Sequence, residues 1–251
     1  MSDAASNQSG DEAESNELSV QELLAELAKR GATMEEIAQL REPVARTPAE
    51  AIRALKIGNS RFFSGQTQRP EHSPLERRAQ IIGQTPFAVV LGCSDSRVPT
   101  EYVFDQSAGN IFTIRVAGNV VSPTTVGSIE YAQRHLKPHV VVVMGHEGCG
   151  AVHAAMTMNE EQIRAEPEGI QLLLERIGPA VRRIPAIRDN KARMREAVIA
   201  SVRQQVHYLK QNAVVKEALE KETIAVVGAY YELSSGAVDF FETEEELRLD
   251  E

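Results

Sequence analysis

The sequence predicts an α/β protein: a mostly parallel β-sheet flanked by helices, with an N-terminal helical arm and a C-terminal edge strand or hairpin. Three observations carry this reading. Short apolar runs, one of them nearly pure valine, recur without polar alternation, the pattern of strands buried on both faces. Segments with helical spacing lie between those runs, as in βαβ units. With 251 residues, 42% of them hydrophobic, the chain can bury a substantial core as one domain with extensions.

The elements follow in order. Residues 1–17 are polar and acidic, with no apolar run, so a disordered tail is expected and a signal peptide is not. Residues 18–47 read as a helical extension. Capping-box signatures occur at Ser19 with Glu22, Thr33 with Glu36, and Thr47-Pro48 with Glu50. The first helix carries Val20, Leu23, Leu24 and Leu27, with Gly31 as its C-cap. The second carries Met34, Ile37 and Leu40 and is stopped by Pro43; the third runs from about Pro48 to Gly58. Helices this short need a surface to lie on, whether the body, a partner subunit or another protein. The predicted strands are Phe87 to Leu91, Ile111 to Val116, Val140 to Met144, and Ile224 to Val227. Helical stretches fall at Thr125 to Leu136, after Gly150, and around Arg195 to Lys221. Tyr230 to Phe241, with Ser235-Gly236 at its centre, reads as a hairpin or edge strand, and residues 242–251 form an acidic tail.

The formal net charge of −9 is concentrated at the ends. Residues 1–17 and 242–251 each carry −5, which leaves the body near neutral. No basic stripe with interleaved aromatics is present, so nucleic acid is not an expected partner. The most apolar run, Val140 to Gly145, is too short to span a bilayer. Two isolated cysteines do not make a secreted disulfide framework. A cytoplasmic protein is the expectation.

Those two cysteines lie in Cys93-Ser94-Asp95-Ser96-Arg97 and His146-Glu147-Gly148-Cys149-Gly150. Both phrases sit at the carboxyl ends of predicted strands, where open parallel sheets gather ligands. Two thiols and an imidazole are tetrahedral zinc ligands. Asp95 is placed to be the fourth ligand or to contact the ligands from outside. A free cysteine is often only a small buried hydrophobe. Here, however, the two phrases use up every cysteine and supply complementary donors. A redox pair would be expected as Cys-x-x-Cys, which is absent.

These phrases resemble the β-class carbonic anhydrases. The similarity continues through Arg115-Val116-Ala117-Gly118-Asn119, Gly127-Ser128-Ile129-Glu130-Tyr131-Ala132 and Val226-Val227-Gly228-Ala229-Tyr230-Tyr231, and more weakly from Gly58-Asn59-Ser60-Arg61-Phe62. It covers roughly residues 48–241, which would be the catalytic domain. The resemblance implies zinc-dependent reversible hydration of carbon dioxide to bicarbonate and a proton. Cys93, His146 and Cys149 would hold the zinc. Asp95 and Arg97 match a dyad that orients zinc-bound hydroxide, and in a closed state Asp95 itself becomes the fourth ligand. Gln84, Phe112, Tyr131 and Gly150 match substrate-facing positions, with Phe112 and Tyr131 partly across a dimer interface. His135, one helical turn after Tyr131, matches a suggested proton-shuttle position. Gln84 and the absence of tryptophan point to the plant-like, open-site subgroup. Gly109-Asn110 and Ala117 depart from the common pattern but touch no ligand. A dimer or an assembly of dimers is implied. Hydrolysis of carbonyl sulfide or carbon disulfide on the same ligands is the alternative chemistry. The alternative of another class is a binding or scaffold protein that docks a protein partner through residues 18–45.

Overall fold

A computed structural model describes residues 20–34, 36, 43–69 and 73–241. The two acidic tails, the Ser19 cap and the Ile37 and Leu40 positions lie outside the described residues. Along the chain come α1 (Val20–Lys29), α2 (Pro48–Phe63), α3 (Pro74–Ala79), β1 (Ala88–Gly92), α4 (Thr100–Val103), β2 (Ile111–Arg115) and α5 (Pro123–Tyr131). A π-helical turn (Ala132–Leu136) extends α5 and is followed by β3 (Val140–His146), α6 (Gly150–Thr157), α7 (Glu160–Ala165) and α8 (Glu168–Val181). The chain ends with α9 (Asn190–Lys210), α10 (Ala213–Glu220), β4 (Ala225–Tyr231) and β5 (Val238–Phe241).

The described residues divide into two compact units, the first falling within Met1–Arg41 and Ser73–Ile82, the second within Glu42–His72 and Gly83–Glu251. In the first, Gly31 ends α1 at φ +92°, and the Ala32 N–H donates to Leu27 O at 3.0 Å. The Thr33 capping box forms: the Thr33 N–H donates to Glu36 Oε2 at 2.8 Å and the Glu36 N–H to Thr33 Oγ1 at 3.2 Å. Ala79 of α3 is buried against Ala28, Ala32, Met34 and Leu75.

The second unit holds a five-stranded sheet in the order β2-β1-β3-β4-β5. The first four strands are parallel and β5 pairs antiparallel with β4. Alternate residues of the valine-rich strands enter two cores. Val89, Leu91, Val141 and Val143 pack with Val198, Val202 and Val206 of α9. Val90, Val142 and Met144 pack with Ala51 and Leu55 of α2 and with Phe104. Burial on both faces explains the missing alternation. The predicted hairpin is the β4–β5 pair.

Several predicted boundaries move, each for a physical reason. β3 runs on through His146, so that residue belongs to the strand and not to the loop beyond it. β4 continues to Tyr231 through Gly228, where a Cβ would lie 2.7 Å from the Phe241 ring. Helix α2 passes Gly58, where a Cβ would collide with the Phe104 carbonyl, and reaches Phe63. The stretch around 195–221 is two helices. Asn212 divides them, its side chain accepting from the Val214 and Val215 N–H groups at 3.0 and 3.2 Å. After Gly150 there are three helices, and α8 carries Pro179 within its last turn.

The Gly58-Asn59-Ser60-Arg61-Phe62 phrase is a structural clamp. Buried Asn59 donates through Nδ2 to Val103 O (3.0 Å) and Gly236 O (2.9 Å) and accepts from the Val238 N–H (2.9 Å). It thereby ties α2 to α4 and to the β4–β5 turn. Arg61 pairs with the wholly buried Asp105 carboxylate, which also accepts from the Gln68 and Arg69 N–H groups.

Candidate metal centre

β1 has β2 on one side and β3 on the other, so the chain reverses its direction of travel across the sheet between β1 and β3. The carboxyl ends of these two neighbours flank the crevice where such sheets bind ligands. Cys93 leaves the end of β1, and Gly92 is registered with Met144 of β3, two residues before His146. Gly148 turns the chain at φ +67° and returns Cys149 as the residue capping α6. The potential ligand atoms of Cys93, His146 and Cys149 lie within 4.8 Å of one another, and all three residues are buried. β3 can close on α9 here because Gly145 has no side chain; a Cβ would sit 2.5 Å from Val198 Cγ1 and 2.7 Å from Val202 Cγ2.

The donors are aimed. His146 Nδ1 lies 2.9 Å from Glu147 O, so its N–H donates there and the Nε2 lone pair faces the cysteines. Among the described residues Nε2 is buried without a hydrogen-bond partner. The Gly118 N–H donates to Cys93 Sγ at 3.4 Å. The neighbouring Cys149 pulls the Cys93 thiol down against its burial, while Cys93 and burial push the Cys149 thiol up. Two buried thiols this close resist losing both protons, and a divalent cation would relieve the pair by taking both as thiolates. An orphaned buried imidazole nitrogen and two converging sulfurs fit a zinc ion, whose bonds to such atoms are ~2.0–2.3 Å.

Asp95 stands beside this group. Its Oδ2 is 3.9 Å from His146 Nε2. Arg97 takes both carboxylate oxygens, Nε to Oδ1 at 2.9 Å and Nη2 to Oδ2 at 2.8 Å, and its own N–H donates to Oδ1 at 2.9 Å. The Arg97 guanidinium holds the Asp95 carboxyl well below the usual carboxylate range. Sequence reasoning assigns no role to Arg115, yet its Nε donates to Cys93 O at 3.0 Å and its Nη2 to Asp95 O. Gly118, too, stands in the sequence only as part of a motif. The available signal was position: Arg115 is the last residue of β2, the strand beside β1, and Gly118 follows three residues later.

Of the remaining predicted site residues, only Gly150 adjoins the ligand cluster within this chain. Gly150 opens α6 next to Cys149, and a Cβ there would meet open space. Phe112 is registered with Val89, four residues and so ~13 Å of strand before Cys93. The Phe112, Tyr131 and His135 rings form a row, with centroids 6.3 Å and then 4.9 Å apart. Exposed Gln84 lies in the segment entering β1, on the amino side of the sheet.

The carbonic anhydrase family model matches residues 88–238. One of the two tetrameric β-carbonic anhydrases solved from Sordaria macrospora superposes with a TM-score of 0.62 at 26% identity, covering 68% of this chain and 88% of that one. This chain belongs to the β-class carbonic anhydrases. Among curated relatives, carbonic anhydrase 2 of Mycobacterium tuberculosis H37Rv is 38% identical over 192 residues, 75% of this chain and 90% of that protein. The carbonic anhydrase of Mycolicibacterium smegmatis is 38% identical over 196 residues, 76% of this chain and 92% of that protein. The matched region of this carbonic anhydrase contains β1 to β4 and all three candidate ligands.

Proposed function

We propose that this β-carbonic anhydrase hydrates carbon dioxide reversibly, with zinc held by Cys93, His146 and Cys149. The observation that carries the reading is the buried, unpartnered His146 Nε2 facing two converging thiols. Bound zinc would supply acidification of water toward a pKa of ~7, and hence a nucleophile at neutral pH. The chain's own residues do the rest. Asp95, kept ionised by Arg97, accepts a hydrogen bond from the incoming water and so turns an oxygen lone pair toward carbon. Because Arg97 occupies both oxygens, Asp95 is drawn away from the ligands, which supports the open, plant-like arrangement. Arg115 fixes the Cys93–Asp95 backbone. The Gly150 N–H, at the start of α6, favours the negative charge that develops on a substrate oxygen.

Gln84, Phe112 and Tyr131 sit on the amino side of the sheet, so we assign them to the site of a second copy, as substrate donor and apolar wall. His135, stacked on Tyr131, is the proposed relay of the released proton. A dimer is the minimal unit, and the Sordaria macrospora relatives are described as tetrameric. Residues 48–241 would form the catalytic domain and 18–47 an arm for docking to a neighbour. No helix among the described residues is long and apolar enough to cross a membrane. Paired reduced thiols suit a cytoplasmic setting.

The dyad is tested by Arg97→Ala. Hydration should fall about 10–100-fold with bound zinc unchanged, because the variant removes an orienting partner and no ligand. Full activity in Arg97→Ala would remove the dyad from the mechanism.

A further inference from the structure

We propose that a cavity away from the metal centre, formed by α6, the end of α8, the α8–α9 connection and the first turn of α9, binds a small organic anion: an oxyanion head on a short apolar body. The cavity measures about 530 Å³ and has Arg182, Arg188 and Arg193 in its lining, together with apolar residues including Met156, Ile184 and Ile187. Among the described residues, no Asp or Glu lines it. None of the three guanidiniums is in an ion pair with a carboxylate among the described residues, whereas Arg61, Arg97, Arg164 and Arg195 each are. Three cations around one concavity, without an ion-pair partner among the described residues, repel each other and attract an anion. The planar fork of arginine matches carboxylate or phosphate oxygens in pairs.

The apolar walls define the rest of the ligand. Ile184 and Met156 also pack against the main core, so the wall they form is anchored. The volume falls within the range of small-molecule sites and exceeds what an inorganic anion fills. Met156 lies seven residues beyond Cys149 on α6, ~10 Å along the helix axis. The cavity is therefore separate from the ligand cluster, none of whose residues line it.

Calorimetric titration of the zinc-loaded enzyme at low ionic strength tests this, with phenyl phosphate, benzoate and inorganic phosphate as probes. Phenyl phosphate and benzoate separate a phosphate head from a carboxylate head, and inorganic phosphate reports the head without the body. At least one organic probe should bind once per chain. Each of Arg182→Gln, Arg188→Gln and Arg193→Gln should weaken that binding about tenfold, the effect of losing one charge-assisted hydrogen bond. The triple variant should lose the site while keeping its carbon dioxide hydration rate. Heat that persists in the triple variant belongs to the metal centre, so failure here is distinguishable from failure of the proposed activity. Three results would overturn the proposal: no organic probe binding at millimolar concentration, equal affinity in the triple variant, or inorganic phosphate binding as tightly as phenyl phosphate.

Discussion

Asp105 shows what a single carboxylate can hold together. Burial by itself would raise its pKa. The Gln68 N–H, Arg61 and the Arg69 N–H outweigh burial and leave it below the ordinary carboxylate value. A lowered pKa stabilises the fold at every pH above the unfolded value of ~3.9, and that contribution is lost as pH falls through the lower folded value. Asp105→Asn is expected to cost about 2–3 kcal/mol near neutrality, with the gap to the parent chain narrowing below about pH 4. Position 105 has φ +47°, which Asn tolerates, so backbone strain does not confound the comparison. Denaturant unfolding at both pH values checks this, and a gap that widens toward acid would contradict it. Residues of this kind divide into legible and illegible by how they act. Cys93, His146 and Cys149 act through rare side chains, so their chemistry was visible in the sequence. Arg115 acts on the carbonyl oxygens of Cys93 and Asp95, and Gly118 acts through its own N–H. Such backbone contacts leave no mark on residue type.

Among the elements, β3 and α9 decide where His146 sits. Gly145 is the point of contact, with Val198 and Val202 where its Cβ would be. Gly145→Ala should cost about 2 kcal/mol through overpacking and should also weaken zinc binding by displacing the adjacent His146. Val198→Ala in the same chain should restore part of both losses, since it clears the nearer methyl. Thermal unfolding and zinc titration of the single and double variants read this out; a single variant with unchanged stability and affinity would show that the approach is not tight. The strands were legible because full burial on two faces leaves only apolar residues to write them with. The ends of β4 and α2 were not, because Gly228 and Gly58 look like breaks when read locally. Each is required by a neighbour distant in sequence, Phe241 and Phe104 respectively.

For the whole molecule, the amino-side position of Gln84, Phe112 and Tyr131 is the main consequence. If they complete the site of a second copy, two inactive variants should rescue each other. A Cys149→Ser chain mixed with a Gln84→Ala/Tyr131→Ala chain, then dissociated and reassembled, should recover about a quarter of the sites on statistical pairing of dimers. If each chain used its own Gln84 and Tyr131, the mixture would show no recovery beyond its parents. Assembly was legible only through family resemblance, because an interface has no periodic signature comparable to that of a buried strand. The central claim is best tested by stopped-flow carbon dioxide hydration across pH, with bound zinc counted on the same sample. One zinc per chain and fast hydration near neutral pH are expected, both abolished by Cys149→Ser. Zinc-free protein, or zinc-loaded protein that hydrates no carbon dioxide at any pH, would contradict it.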